Sequence, residues 1–158
     1  MRLSTRARYG TRALLDLAIH SNQRPVLLKD IARRQEISLP YLQHLITPLI
    51  AAGIVRSTRG ARGGVSLLKD PGEIKLSEVI HFLEGSIAPV ECVSHPKICP
   101  RSDFCATRDI WSEMNEAMNG VLETTTLHDL VELQRQKGAS RGSETTSKGS
   151  CSPYQQRK

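Results

Sequence analysis

No apolar run in this chain approaches the ~18 residues that a membrane-spanning helix needs. The first residues, Met1-Arg-Leu-Ser-Thr-Arg-Ala-Arg8, lack the apolar stretch and small-residue cleavage site of an export signal. There is no internal repeat. No nucleophile–base pairing, glycine-rich phosphate loop or paired carboxylates occur, so an enzyme is not expected. Cysteine is sparse, with four in 158 residues. These absences lead to the expectation of a cytoplasmic protein that does not engage a membrane. In that compartment clustered cysteines are more often metal ligands or redox groups than disulfides.

What is present is unevenly charged. Residues 1–70 carry twelve Lys/Arg against four Asp/Glu, residues 71–137 six against eleven, and residues 138–158 four against one. The segment charges are +8, −5 and +3. A basic first half followed by an acidic second points to a polyanionic partner for the first half only.

Apolar periodicity predicts a helix over 5–21, from Tyr9, Ala13, Leu14, Leu17 and Ala18, and a shorter one over 28–35 around Leu28, Ile31 and Ala32. After a tight turn at Glu36-Ile37-Ser38, a third helix starts with Ser38 as its cap and Pro40 in its first turn. Leu42, Leu45, Ile46, Leu49 and Ile50 form its apolar stripe, and Gly53 ends it. Pro48 lies inside this helix and should kink it, or confine its base-reading part to residues 39–47. Two β-prone runs, 54–57 and 65–68, flank Arg59-Gly-Ala-Arg-Gly-Gly64, which reads as a hairpin with a basic tip. A helix over 76–84 follows, closed by Gly85.

The expected fold is therefore mainly α with a small β-hairpin wing: a winged helix-turn-helix over 1–85. A cysteine-rich loop over 86–105 carries Cys92, Cys99 and Cys105, with Pro96 and Pro100 limiting its conformations. A long helix from 106 to about 124 presents Ile110, Trp111, Met114, Ala117, Met118, Val121 and Leu122. So wide an apolar face in so small a protein implies a second copy, making 106–137 a dimerisation unit with a short last helix over 127–137 capped by Thr126. Residues 138–158, including Cys151, read as a disordered tail.

Within the winged helix, Ser38, Tyr41, Gln43 and His44 at the start of the third helix are the candidates for base or phosphate contact. Gln43 suits an adenine edge. Arg59 and Arg62 of the wing would take the minor groove or phosphates, and Arg2 and Arg6 the backbone of double-stranded DNA. Three thiols on one loop suit an iron–sulfur cluster, zinc with one histidine, or a metal-free thiol switch. An electron carrier would need neither the wing nor the basic half.

The opening Met1-Arg-Leu-Ser…Arg8-Tyr9-Gly10…Leu14-Leu-Asp-Leu-Ala18, together with Asp30-Ile-Ala…Ile37-Ser…Tyr41-Leu…Leu45, the Arg59-Gly-Ala-Arg-Gly-Gly64 tip and Cys92…Cys99…Cys105, resembles the bacterial winged-helix regulators that sense through iron–sulfur clusters. That family includes the cluster-assembly regulator and the nitric-oxide-sensing repressor. The resemblance covers about residues 1–135. It implies a homodimeric transcription factor, often a repressor, that holds an iron–sulfur cluster on Cys92, Cys99 and Cys105. The 2Fe–2S form is preferred and the 4Fe–4S form is the alternative. This chain departs from the family in three places. Six residues separate Cys92 from Cys99 where five are usual. Arg108 stands where the assembly regulator carries a histidine, and Arg8 where the nitric-oxide sensor carries an acidic ligand. The fourth ligand is open, with His95 the nearest imidazole and Asp103 and Glu91 the carboxylate options.

Overall fold

The computed structural model describes residues 3–21, 24–60 and 63–142. Helix α1 (Thr5–His20) starts where Ser4 turns its hydroxyl to the backbone N–H groups of Arg6 and Ala7, at 3.1 and 3.3 Å. The same hydroxyl bonds Glu84, and the Ser4 N–H donates to that carboxylate at 3.2 Å, so the start of α1 is fixed to the end of α4 (Leu76–Glu84). The two helices pack so closely that a Cβ on Gly10 would lie 2.4 Å from Leu83 Cδ1.

Helices α2 (Leu28–Gln35) and α3 (Leu39–Ala51) form the helix-turn-helix. Glu36 makes the turn in the left-handed region at φ 55°, and the Ile37 N–H closes it on the Ala32 carbonyl at 3.0 Å. Ser38 caps α3 as its sequence predicts, accepting from the Tyr41 N–H at 3.4 Å. Pro48 does not end the helix, which runs on to Ala51. Leu45, Ile46 and Leu49 are buried around Pro48, and their packing outweighs the roughly 3 kcal/mol handicap of an interior proline. Ile50, expected in the stripe, is instead 39% exposed because the buried face is centred on Leu42, Leu45, Ile46 and Leu49.

Strands β1 (Val55–Thr58) and β2 (Gly64–Leu67) pair antiparallel with Val55 opposite Leu67 and Thr58 opposite Gly64. Each sits within a residue of its expected run. Val26 adds a bridge to Val65, with reciprocal N–H···O bonds of 2.8 Å, so the segment before α2 backs the wing. Gly64 permits this approach, since a Cβ there would lie 2.6 Å from the Val26 carbonyl oxygen.

The cysteine segment is not a plain loop. It holds a four-residue helix, α5 (Glu91–Ser94), and two 3-10 turns at Pro96–Ile98 and Ser102–Phe104. Helix α6 (Ala106–Thr124) buries none of its residues, whereas α7 (Leu127–Gly142) folds back onto α1. Leu127 is fully buried in one core with Leu14, Leu17, Ile31, Leu42, Leu49 and Val79. Thr126 and Asp129 cap α7 reciprocally, the Thr126 N–H donating to Asp129 at 2.8 Å and the Asp129 N–H to the Thr126 hydroxyl at 3.2 Å. This helix runs past its expected end at 137, so residues 138–142, expected in the tail, are helical; Gly138 alone does not stop a run of Gln, Arg, Lys and Ala. The rest of the expected tail, with Cys151, lies outside the described residues.

A buried carboxylate lies on the inner face of α1. The Asp16 side chain is 3% exposed and accepts from Arg34 Nε and Nη2 at 2.9 and 2.6 Å and from Gln35 Nε2 at 2.9 Å. The carboxylate in turn holds the Arg34 guanidinium above its ordinary pKa, chiefly through these hydrogen bonds. Replacing Asp16 by Ala strands three donors, and because Arg34 still reaches water the loss is expected at the lower end for a broken buried pair, about 3 kcal/mol. Urea denaturation of Asp16→Ala beside the parent checks this, and a loss under about 1 kcal/mol would show the pair to be dispensable.

Candidate nucleic-acid interface and cysteine loop

Helix α3 presents Gln43 and His44 to solvent, and the wing residue Arg59 is exposed as well. Ser38 and Tyr41 stand at the same N-terminal end of α3, Ser38 with its hydroxyl engaged as the cap and Tyr41 half-buried. Arg6 is exposed on the first turn of α1. Arg2 and Arg62 fall outside the described residues. The structure therefore sets five of the expected DNA-contacting side chains, Ser38, Tyr41, Gln43, His44 and Arg59, on the helix-turn-helix and wing, and places Arg6 at the start of α1.

Sequence reasoning missed how Tyr41 is seated. Its ring meets Tyr9 of α1 edge-on, centroids 6.2 Å apart and planes at 84°. The Tyr9 ring is also faced by two guanidinium groups, Arg8 at 5.7 Å and Arg12 at 5.2 Å. Arg12 Nε donates to Gln35 Oε1 at 3.0 Å, and Gln35 is held by Asp16. A continuous series of contacts thus joins the buried carboxylate to the recognition helix. The signal for Asp16 was legible as a lone acid within Leu14-Leu-Asp-Leu-Ala18, but its partners lie eighteen and nineteen residues away.

All three loop cysteines are free thiols and partly exposed. Cys92 lies in α5, Cys99 ends the first 3-10 turn, and Cys105 is the N-cap residue of α6. The loop is knit by its own polar contacts: Ser102 Oγ donates to the Pro96 carbonyl at 2.6 Å, and the Ser86 and Ser94 hydroxyls meet at 2.9 Å. Arg108 Nε of α6 donates to the Cys92 carbonyl at 3.0 Å, tying the front of the loop to the helix that its last cysteine caps. His95, Glu91 and Asp103 are all exposed.

Among the described residues, no three His, Cys, Asp or Glu side chains are gathered closely enough to hold a metal ion. The donor set nonetheless fits in its chemistry. Three partly exposed thiols lie on short turns with little regular structure to resist their convergence, and thiolates are the usual ligands of iron–sulfur clusters. The 3.1 Å contact of the Thr107 hydroxyl with Cys105 Sγ and the backbone N–H groups opening α6 hold this thiol below its ordinary pKa, while Asp109 acts in the opposite sense. The thiolate is the reacting form, so a lowered pKa raises reactivity at neutral pH. Cys105 is expected to be alkylated by iodoacetamide ahead of Cys92 and Cys99, with its rate inflecting at lower pH than for an ordinary thiol. Peptide mapping across a pH series measures this. Thr107→Val should move the inflection upward, and an unmoved inflection removes the hydroxyl as the cause.

A family model described as "Rrf2: Iron-dependent Transcriptional regulator" matches residues 3–133. Protein rrf2 of Nitratidesulfovibrio vulgaris is 49% identical over 131 residues, which cover 83% of this chain and 87% of that protein. The HTH-type transcriptional regulator IscR of Serratia proteamaculans is 40% identical over 134 residues, 85% of this chain and 81% of that one. Among solved structures, CymR, the global cysteine regulator of B. subtilis, superposes with a TM-score of 0.72 at 37% identity, covering 84% of this chain and 98% of that chain. IscR of T. potens gives 0.69 at 36%, covering 94% of each.

Proposed function

Because the chain belongs to the Rrf2 family of winged-helix, DNA-binding transcriptional regulators, we propose that it is a homodimeric repressor or activator whose operator affinity is set by an iron–sulfur cluster held on Cys92, Cys99 and Cys105. One observation carries this reading. The three thiols sit on the segment that joins α4 of the winged helix to α6, and the last of them is the N-cap residue of α6. A change in how the thiols are held is therefore felt at the start of α6, on the link to the winged helix. The cluster, when bound, supplies a centre that is lost to oxidants, nitric oxide or iron scarcity. The chain's own part is bistability: the turns of residues 86–105 are ordered in one state and open in the other, and regulation follows from the different DNA affinities of the two. His95 is the imidazole best placed in sequence to complete the ligand set.

The second copy is argued from α6. Ile110, Trp111, Met114 and Val121 are 37–65% exposed on this helix. An apolar groove of 590 Å³, lined by Leu3, Ile87, Pro89, Met118, Val121 and Leu122, continues the same face. Two copies packed through α6 would cover it and space two recognition helices for an operator of approximate two-fold symmetry. Trp111→Glu combined with Met114→Glu is expected to yield monomers by sedimentation equilibrium and to weaken binding to a two-half-site duplex. A dimer that survives both changes removes α6 as the interface.

A metal-free thiol switch is the second reading. It is favoured by the lowered pKa of Cys105 and by the solved Staphylococcus aureus CymR in an oxidized form, 36% identical to this chain. Anaerobic purification, an absorption spectrum and counts of iron, sulfide and zinc decide between them. A coloured protein with matching iron and sulfide supports the cluster, stoichiometric zinc in a colourless protein sinks it, and a metal-free chain whose DNA binding responds to peroxide supports the thiol switch.

A further inference from the structure

We propose that Arg8 and Arg12 form a phosphate clamp on the DNA backbone beside the bases read by α3, with Tyr9 as its positioning residue; this rests on the DNA-binding reading above. The charge pattern of α1 is unfavourable for a free helix. Its first turn has no acidic residue, whereas Arg6 and Arg8 lie there, against the positive end of the helix dipole. Arg8 and Arg12 are one turn apart on one face, where like charges repel. Both are exposed, and among the described residues neither has a carboxylate within ion-pair distance. The one acid of α1, Asp16, is engaged by Arg34 and Gln35. An external polyanion is what this arrangement lacks.

The geometry also fixes where that polyanion lies. Both guanidinium groups face the Tyr9 ring, and the ring's other contact is Tyr41, in the first turn of α3. The clamp is thereby set beside the N-terminal end of the recognition helix, the end that enters a major groove. Gln35 fixes Arg12 through Nε and, at 3.4 Å, Nη2, leaving Nη1 without a hydrogen bond among the described residues. Guanidinium forks match phosphate oxygens, and such contacts set the register of a protein on DNA without reading sequence. Arg12 and Tyr9 together connect the register so set to the Tyr41 side chain.

The test uses the full chain, a duplex that it has itself selected from random-sequence DNA, and a scrambled duplex of equal length, followed by fluorescence anisotropy across a salt series. Arg8→Ala with Arg12→Ala is expected to weaken binding to both duplexes by a similar factor, about tenfold or more near 0.15 M salt, and to flatten the salt slope by about one for each phosphate no longer held. The ratio of affinities for the two duplexes should stay constant. Arg8→Lys with Arg12→Lys should keep the slope. Tyr9→Phe should match the parent, and Tyr9→Leu should weaken the selected duplex more than the scrambled one, because Tyr41 loses its seat. An unchanged slope in the double alanine variant, with normal parental binding, overturns the clamp alone. A changed affinity ratio with an unchanged slope would make the arginines base readers and also overturn it. If the parent binds neither duplex, the regulator reading fails and takes the clamp with it.

Discussion

The orientation of the recognition helix depends on a carboxylate that never reaches the surface. Asp16 is placed in the interior by the apolar residues on either side of it in α1, and an isolated buried charge would be strongly unfavourable. Its hydrogen-bond donors come from the end of α2, Arg34 gripping it bidentately and Gln35 adding a third donor, while His20 Nδ1 of α1 lies 3.5 Å from Oδ1. The requirement to satisfy that charge fixes the rotation of α2 against α1. The three-residue turn at 36–38 then transmits it to α3. Hydrophobic packing alone would tolerate several rotations of so short a helix, whereas a three-donor carboxylate tolerates few.

The same carboxylate reaches the protein surface through Gln35 and Arg12, and from there through the Tyr9 ring to Tyr41. The residues proposed to face DNA are thus joined by direct contacts to the buried carboxylate. The cysteine segment contrasts with this. It contributes one buried side chain, Ser102, and is held by isolated hydrogen bonds, chiefly those of Ser102, Ser86 and Arg108. Such a segment has low local stability, which is the property a switch element needs. Arg108 is instructive here. It occupies the position at which a ligating histidine would be expected from the resemblance, yet its observed role is to hold the Cys92 carbonyl against α6.

Most helices were legible from the sequence because their apolar residues recur at the helical period and their ends carry distinct caps: Ser38, Gly53, Gly85 and Thr126 mark ends within a residue or two. The wing was legible from its glycines. Long-range polar partnerships were not, since nothing local in Asp16, Gln35 or Ser4 names the residue it will meet. Pro48 lies inside α3 as read, and burial of Leu45, Ile46 and Leu49 carries the helix past it to Ala51. The three cysteines stood out by spacing alone, but whether they converge depends on a loop whose fine structure no periodicity encodes. The turns at Pro96–Ile98 and Ser102–Phe104 emerge only from contacts within that loop.

The return of α7 to the winged helix bears on how the protein is made. Leu127 and Val131 complete a core whose other members lie before residue 84. Between the two parts the ribosome must synthesise the entire cysteine segment and α6. A nascent chain released only up to Gly85 lacks Leu127 and Val131, so the core face that they cover is left open. The DNA-reading part therefore reaches its final stability only after the cysteine segment has emerged, and no complete reader is produced ahead of the element proposed to govern it.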